Sequence, residues 1–357
     1  MERAKKHRLL DILVIALCTL LTGGEGLQDM EFFGKSKVPW LQTFLALPHG
    51  IPAHDTVGRV FARFNPQRLQ QCFLAWTQAV AQLTHGALVS LDGKTVKASF
   101  ARATASSPLH ILSAWCSDNG GRVTGQIKTD TKSHEIAVIP ELLQVLAITG
   151  CIVPIDAMGC QTAIAAQIMD QGGDDLLALK GNYKKASTAV KQHLHQHIEH
   201  NVPWRDAQNF FDAFDASHGR LVRRRVWSMT DLTPLSALEK WPGLQTVIAV
   251  EMIRTAHQYA SVTSDSRFYL SSLVRSGGIF ATMIRQHWYI ENRLHWSLDV
   301  TFNEDHSRIR KDHAAENMAS LRGSHINARP SLLPPAAARD EWTPEAASSI
   351  SIANAAW

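Results

Sequence analysis

Two short apolar runs each end in an aspartate followed closely by glycine: Val89-Ser90-Leu91-Asp92-Gly93-Lys94 and Val153-Pro154-Ile155-Asp156-Ala157-Met158-Gly159. Open α/β sheets place their sites at the carboxyl ends of such strands. If the two strands are parallel neighbours, Asp92 and Asp156 lie side by side, and carboxylates at that spacing resist joint ionisation unless a cation sits between them. Hard divalent ions with oxygen ligands, Mg2+ or Mn2+, are the usual answer. A third carboxylate sits in a helical pattern, where Ile284, His287, Trp288, Glu291, Leu294, His295 and Leu298 share one stripe. Glu291 is therefore expected to point with the buried residues and to need a cation. That cation is either a metal ion or an arginine such as Arg285, which would then merely stitch the helix to the sheet.

Cations follow these carboxylates closely. Lys94 and Lys97 come just after Asp92, Lys180 after another strand, and Arg220, Arg223, Arg224 and Arg225 form a run. For gripping phosphate, Lys180 and Arg285 are the stronger candidates, while the arginine run serves equally well as a solvated strand edge. Trp288 and Trp296 could stack on an unpaired base, but aromatics at helical spacing read first as packing. His193, His197 and His200 have a spacing that could ligate zinc on one helix face, yet no cysteine or closing ligand is near, so a solvated histidine-rich face is the better reading. Asp299, Glu304 and Asp305 compete with Glu291 as third ligand and are less well placed along the helix.

The elements that must position these residues are legible in the periodicity. Helical spacing predicts helices over 9–21, 38–47, 55–64 and 67–84, and a helix-turn-helix DNA reader among them is less favoured than plain packing. From residue 87 the pattern becomes that of strands, over 87–92, 111–116, 123–128, 151–156 and 176–179. A helix over 161–171 completes a β-α-β unit. Further strands over 223–229, 245–253 and 267–271 read as a β-rich insertion before a long helix over 278–298. The remainder, from 323, is rich in Pro, Ala and Ser and reads as an unstructured tail.

Composition sets the outer limits. A chain of 357 residues, 45% hydrophobic and 19% charged, excludes collagen, coiled coil and wholesale disorder and implies two or three domains. A net charge of +4 permits an anionic partner without demanding one. Five scattered cysteines without a C-x-x-C pair argue against a disulfide framework and for a reducing compartment. The basic start followed by the apolar stretch 9–21 imitates a secretory signal. Asp11 interrupts that stretch, however, and it is too short to span a bilayer, so a core helix is expected and no membrane association.

Four strings carry a resemblance to a known family: Leu91-Asp92-Gly93-Lys94, Ile155-Asp156-Ala157-Met158-Gly159-Cys160-Gln161, Leu177-Ala178-Leu179-Lys180-Gly181-Asn182, and the stretch from His287-Trp288-Tyr289-Ile290-Glu291-Asn292 through Leu294-His295-Trp296-Ser297-Leu298-Asp299-Val300. The chain resembles the DDE transposases of bacterial insertion sequences, and within them the ISAs-one group that includes the H-repeat-associated proteins. The likeness runs from about His7 to Leu321.

The resemblance implies an α/β protein with a ribonuclease H-like mixed sheet, flanking helices, an N-terminal helical domain and a β-rich insertion. Its domains would be 1–85 (helical, DNA-binding), 86–215 and 276–322 (the two catalytic parts), 216–275 (the insertion) and 323–357 (the tail). Asp92, Asp156 and Glu291 would bind two Mg2+ or Mn2+ ions for in-line phosphodiester displacement. Lys94, Lys97, Lys180, Arg220 and Arg285 would touch DNA. The partners would be double-stranded DNA, as terminal repeats and target, and a second copy of the chain in a synaptic homodimer. The location would be cytoplasmic, at the nucleoid.

Three departures favour an alternative, a catalytically inactive DNA-binding remnant with a frameshifted or truncated end. Pro154 stands inside a strand expected to be central. Val222 replaces an acidic residue common in the family. After Arg322 the apolar and basic helix of the family gives way to Gly323-Ser324-His325.

Overall fold

In the computed structural model, the structure describes residues 6–80, 85–100, 107–118, 121–129, 135–199, 209–217, 220–256 and 262–328. In chain order the helices are α1 (Leu9–Leu21), α2 (Leu27–Ser36), α3 (Val38–Leu41), α4 (His54–Arg63), α5 (Pro66–Val80), α6 (Glu135–Val145), α7 (Thr162–Asp170), α8 (Lys184–Glu199), α9 (Gly277–His287), α10 (Trp296–Val300) and α11 (Ala314–Ala328). The strands are β1 (Val89–Val96), β2 (Leu109–Cys116), β3 (Arg122–Thr129), β4 (Ile152–Ile155), β5 (Asp174–Leu179), β6 (Phe210–Ser217), β7 (Arg220–Met229), β8 (Thr246–Ala256) and β9 (Val262–Ser271). Among the described residues no helix is long and apolar enough to cross a membrane. Contacts group the chain into two units, one of residues 1–73, 96–109 and 293–357 and the other of residues 74–95 and 110–292.

The first unit is helical. The apolar run of α1 forms the expected helix, but its buried face is Asp11, Ile12, Ile15, Ala16, Thr19 and Leu20, whereas Leu9 is exposed. A run that is apolar almost all round does not select its own face. Only Val38–Leu41 of the expected 38–47 helix forms, and Leu45 and Leu47 instead fold back with Leu41 onto Ile15. The expected break at 323 does not occur, because α11 continues through Ala328. Tertiary contacts hold it there: Asn317 Nδ2 donates to the carbonyls of Phe61 (2.8 Å) and Phe64 (2.9 Å), closing the end of α4, and Arg322 and His325 are buried. Packing thus outweighs the weak local propensity of Gly323-Ser324. Residues beyond 328 lie outside the described residues.

The second unit is built on one nine-stranded mixed sheet in the order β3-β2-β1-β4-β5-β9-β8-β7-β6. β1, β4 and β5 are parallel, and β9 runs antiparallel to β5. The strands read as a β-rich insertion extend the same sheet, β9 lying directly beside β5. Both faces are apolar by simple alternation. Val89, Leu91, Val153, Ile155, Leu177 and Leu179 pack under α6, α7 and α8. Leu88, Ile152, Leu176, Ala178 and Tyr269 pack under α9. Strands covered on both sides read as continuous apolar runs, which is how they appear in the sequence.

Pro154 is buried inside β4 as expected, and the sheet shows the consequence. Ile152 donates its N–H to the Ala87 carbonyl (2.8 Å), so Pro154, two residues on, turns its missing donor toward the same neighbour. The β1–β4 pairing is accordingly broken into Leu88↔Ile152 and Leu91↔Ile155, while the β4–β5 ladder runs unbroken from Ile152 to Ile155.

Candidate active site

Alternation decides which side chains meet. Val89 and Leu91 face the α6–α8 layer, so Asp92 faces α9; Val153 and Ile155 do the same, and Asp156, still extended at φ −64° and ψ 167°, also faces α9. Each aspartate follows a member of the register pair Leu91↔Ile155 by one residue. The two carboxylates therefore stand side by side on parallel neighbours. β1 itself continues to Val96, beyond the end expected at Asp92, but its pairing with β4 stops at Leu91. Lys180 continues the parity of Leu176 and Ala178, and Arg267 that of Tyr269, so both belong to the same face.

The pair is electrostatically unequal. Burial pushes the Asp92 carboxyl up to about 7, Asp156 adds to the rise, and His287 and the Gly93 N–H (2.9 Å) oppose it. Asp156 is held below the usual carboxylate range, first by the His287 imidazole, whose Nε2 lies 3.6 Å from Oδ1, and also by Lys180 and Arg267. Without a metal ion, near-neutral pH therefore finds Asp156 charged and Asp92 holding or about to release its proton.

Glu291 departs from expectation. It is exposed, because the long helix expected over 278–298 is broken: α9 ends at His287, and a π-helical segment, Ile290–His295, follows before α10. Ile290 and Leu294 take the buried positions, and the wider turn carries Glu291 outward, near enough to Asp92 to raise its pKa. Arg285 is not its partner; it pairs with Asp215 at 3.1 Å. Among the described residues no three His, Cys, Asp or Glu side chains converge as a finished metal site. The fit to a divalent ion lies in the donor set: all-oxygen carboxylates, two of them adjacent, of which Asp92 is held back from ionising first by burial and then by the charge of Asp156.

The remaining candidates divide. Lys180 stands at the carboxylates, while Lys97 is tied to Asp305 at 2.6 Å within the helical unit. Lys94 is half-buried next to Gly93, and the Arg220 side chain lies outside the described residues. Arg223, Arg224 and Arg225 are each paired across the sheet, with Asp212 (2.6 Å), Asp215 (3.0 Å) and Glu251. Glu304 is buried against Arg322. Trp296 is exposed rather than packed, and Trp288 carries the Arg267 guanidinium 4.9 Å from its ring centre. His193 Nε2 lies 3.0 Å from Met229 Sδ, and the side chains of His197 and His200 lie outside the described residues.

Sequence reasoning passed over His287 and Arg267. It also missed a buried network behind Asp92, in which His110 Nε2 lies 2.5 Å from Glu135 Oε1 and Nδ1 lies 2.7 Å from Thr95 Oγ1. Gly93 is pressed against that network. A Cβ there would lie 2.6 Å from His110 Nε2 and closer still to Glu135 Oε1. Gly93→Ala should therefore cost about 1–3 kcal/mol through overpacking and displace the backbone that carries Asp92. Urea denaturation checks this, and an unchanged midpoint would refute the crowding.

The comparisons with known proteins agree with one another. The family described as Transposase DDE domain matches residues 85–326, and DDE_Tnp_1-associated matches residues 1–77. YncI of Escherichia coli O157:H7 is 36% identical over 329 residues, covering 90% of this chain and 82% of its own length. The H-repeat-associated YhhI of Escherichia coli K12 is 36% identical over 325 residues, 90% of this chain and 85% of its own. Both are provisionally named transposases. An uncharacterized protein from the dhlA 3′ region of Xanthobacter autotrophicus is 38% identical over 270 residues, 75% of this chain and 88% of its own.

Proposed function

We propose that this chain, which belongs to the DDE transposase family, cuts DNA at the ends of its own insertion element and joins those ends to target DNA, with Asp92, Asp156 and Glu291 as the metal-holding triad. The observation that carries the assignment is the parallel register Leu91↔Ile155, which sets two aspartates side by side on the face covered by the helix leading to Glu291. The strand order β3-β2-β1-β4-β5, with β1, β4 and β5 parallel, supports a ribonuclease H-like core for the reading.

Two Mg2+ or Mn2+ ions, when bound, supply Lewis-acid activation of the attacking oxygen and stabilisation of the leaving one. Asp92 and Asp156, on the α9 face of the sheet, would hold them, with Glu291 of the π-helical segment as the third ligand. His287 keeps Asp156 ionised. Lys180 and Arg267 give that face the positive charge to receive a scissile phosphodiester, and the ring of Trp288 backs Arg267. Synapsis of two element ends calls for a homodimer working at the nucleoid.

A plasmid carrying the element's own ends tests the reading directly. The wild-type chain should nick at those ends only with Mg2+ or Mn2+, and Glu291→Gln should abolish nicking without weakening DNA binding. Binding without any cutting by the folded wild-type chain would instead favour the inactive remnant.

A further inference from the structure

Within the helical unit, sharing no residue with the carboxylate site assigned above, a cleft of about 860 Å³ opens between the start of α2, the first turns of α4 and the segment that follows α10. Besides Arg310, three cations on its walls are exposed: Arg59, Arg308 and Lys311. Its floor is different in kind. Arg322 is 2% exposed, and its contacts are all long: Nη1 to Glu304 Oε1 at 3.3 Å, Nη2 to the Glu25 carbonyl and Ser307 Oγ at 3.4 Å. Among the described residues its Nε has no hydrogen-bond partner. Such a guanidinium has donors to spare.

Five Arg and Lys side chains line the cleft against three acids, Glu25, Asp29 and Asp55. Asp29 accepts the backbone N–H groups of Glu25 and Gly26, both at 2.9 Å, and Asp55 stands beside His54 at 3.5 Å. Arg310 is committed to the Ala98 carbonyl (2.7 Å) and the Phe100 ring. The basic segment is also bracketed by two non-glycine residues in the left-handed region, Asn303 (φ 49°) and Asp312 (φ 45°). Backbone held in that region fixes how the intervening side chains are presented.

We infer that this cleft is a second DNA-binding site, one that grips backbone phosphates of the duplex through Arg59, Arg308 and Lys311 over the Arg322 floor. Phosphate oxygens match the chemistry, since planar guanidinium donors take them in pairs and exposed lysine adds charge. An open cleft with its cations spread over α4 and the segment after α10 suits a repeating anion better than a single one. The inference rests on the transposase reading for its source of phosphate, but the cleft shares no residue with the carboxylate site.

The test measures binding of a labelled duplex bearing the element's terminal repeat to the full chain in EDTA, so that no cutting enters. Arg308→Ala/Lys311→Ala should weaken binding roughly tenfold and lower the slope of log K against log salt by about 1.8, and should do so equally for a scrambled duplex. Arg68→Ala/Arg275→Ala, which removes two exposed charges elsewhere, should change neither as much. An unchanged slope in the first variant would overturn the site and leave the triad reading intact. The same holds if millimolar ATP or inorganic phosphate raises the wild-type melting temperature, the first variant loses that rise, and its duplex binding is unaltered: the cleft would then take a free phosphate compound rather than DNA.

Discussion

Asp92→Asn should cost metal-dependent cleavage about 10³-fold or more while making the metal-free chain more stable at pH 8. On the proposed triad, the first effect follows from removing a ligand of ions that would contribute several kcal/mol to the transition state, each 1.36 kcal/mol being about tenfold in rate. The second follows from the environment of the carboxyl, which burial and Asp156 push up to about 7. Between pH 4 and 7 the folded chain keeps this proton and the unfolded chain has released it. Stability therefore falls as pH rises through that window, and above 7 the folded chain bears the full cost of ionisation. Asparagine has the same shape and can still accept the Gly93 N–H, but it carries no charge. The variant should thus melt a few degrees higher than wild type at pH 8 in EDTA, with the gap closing toward pH 4. Adding Mg2+ should reverse the order, since only the wild type gains binding energy. A lower melting point for Asp92→Asn at pH 8 would mean that Asp92 is a structural hydrogen-bond acceptor, and the metal assignment would lose its basis.

The aspartate pair was legible because it depends on short-range rules. An apolar run, its terminal carboxylate and the two-residue alternation of strands are all local, and they place Asp92 and Asp156 on one face once the strands are parallel. Glu291 was legible as a residue and not as a direction. A helical stripe presumes 3.6 residues per turn throughout, and the π-helical segment Ile290–His295 changes that phase where the glutamate sits. His287 looked like one more member of an apolar stripe, because its partner Asp156 belongs to a distant strand.

The arginine run posed the same problem in reverse. Arg223, Arg224 and Arg225 resemble a phosphate grip until strand register sets Asp212 opposite Arg225, Ala213 opposite Arg224 and Glu251 opposite Arg225 on the other side, leaving acids within reach of all three. Long-range pairing has no local signature, so the joining of β6 through β9 to the central sheet was equally hidden. The end of α11 was misread for a related reason. Gly323 and Ser324 argue against helix, and the contacts that overrule them come from Phe61, Phe64, Phe302 and Glu304.

Those contacts set the size of a second effect. Arg322→Met should destabilise the chain by about 3–5 kcal/mol, because it leaves Glu304, 1% exposed, without its guanidinium. Glu304→Leu should do comparable harm by stranding the arginine. The double variant, Glu304→Leu/Arg322→Met, should recover much of the loss, since a buried ion pair replaced by packed apolar groups of similar volume is often neutral or better. Guanidinium chloride denaturation of the three variants checks this, and additive losses in the double variant would exclude the pairing as the cause. The same double variant also separates the two roles of Arg322. If the guanidinium only braces α11, a chain that regains its stability should regain its hold on the duplex. If it is also the floor of the phosphate cleft, the restabilised chain should still bind more weakly in EDTA, with the deficit shrinking as salt is raised.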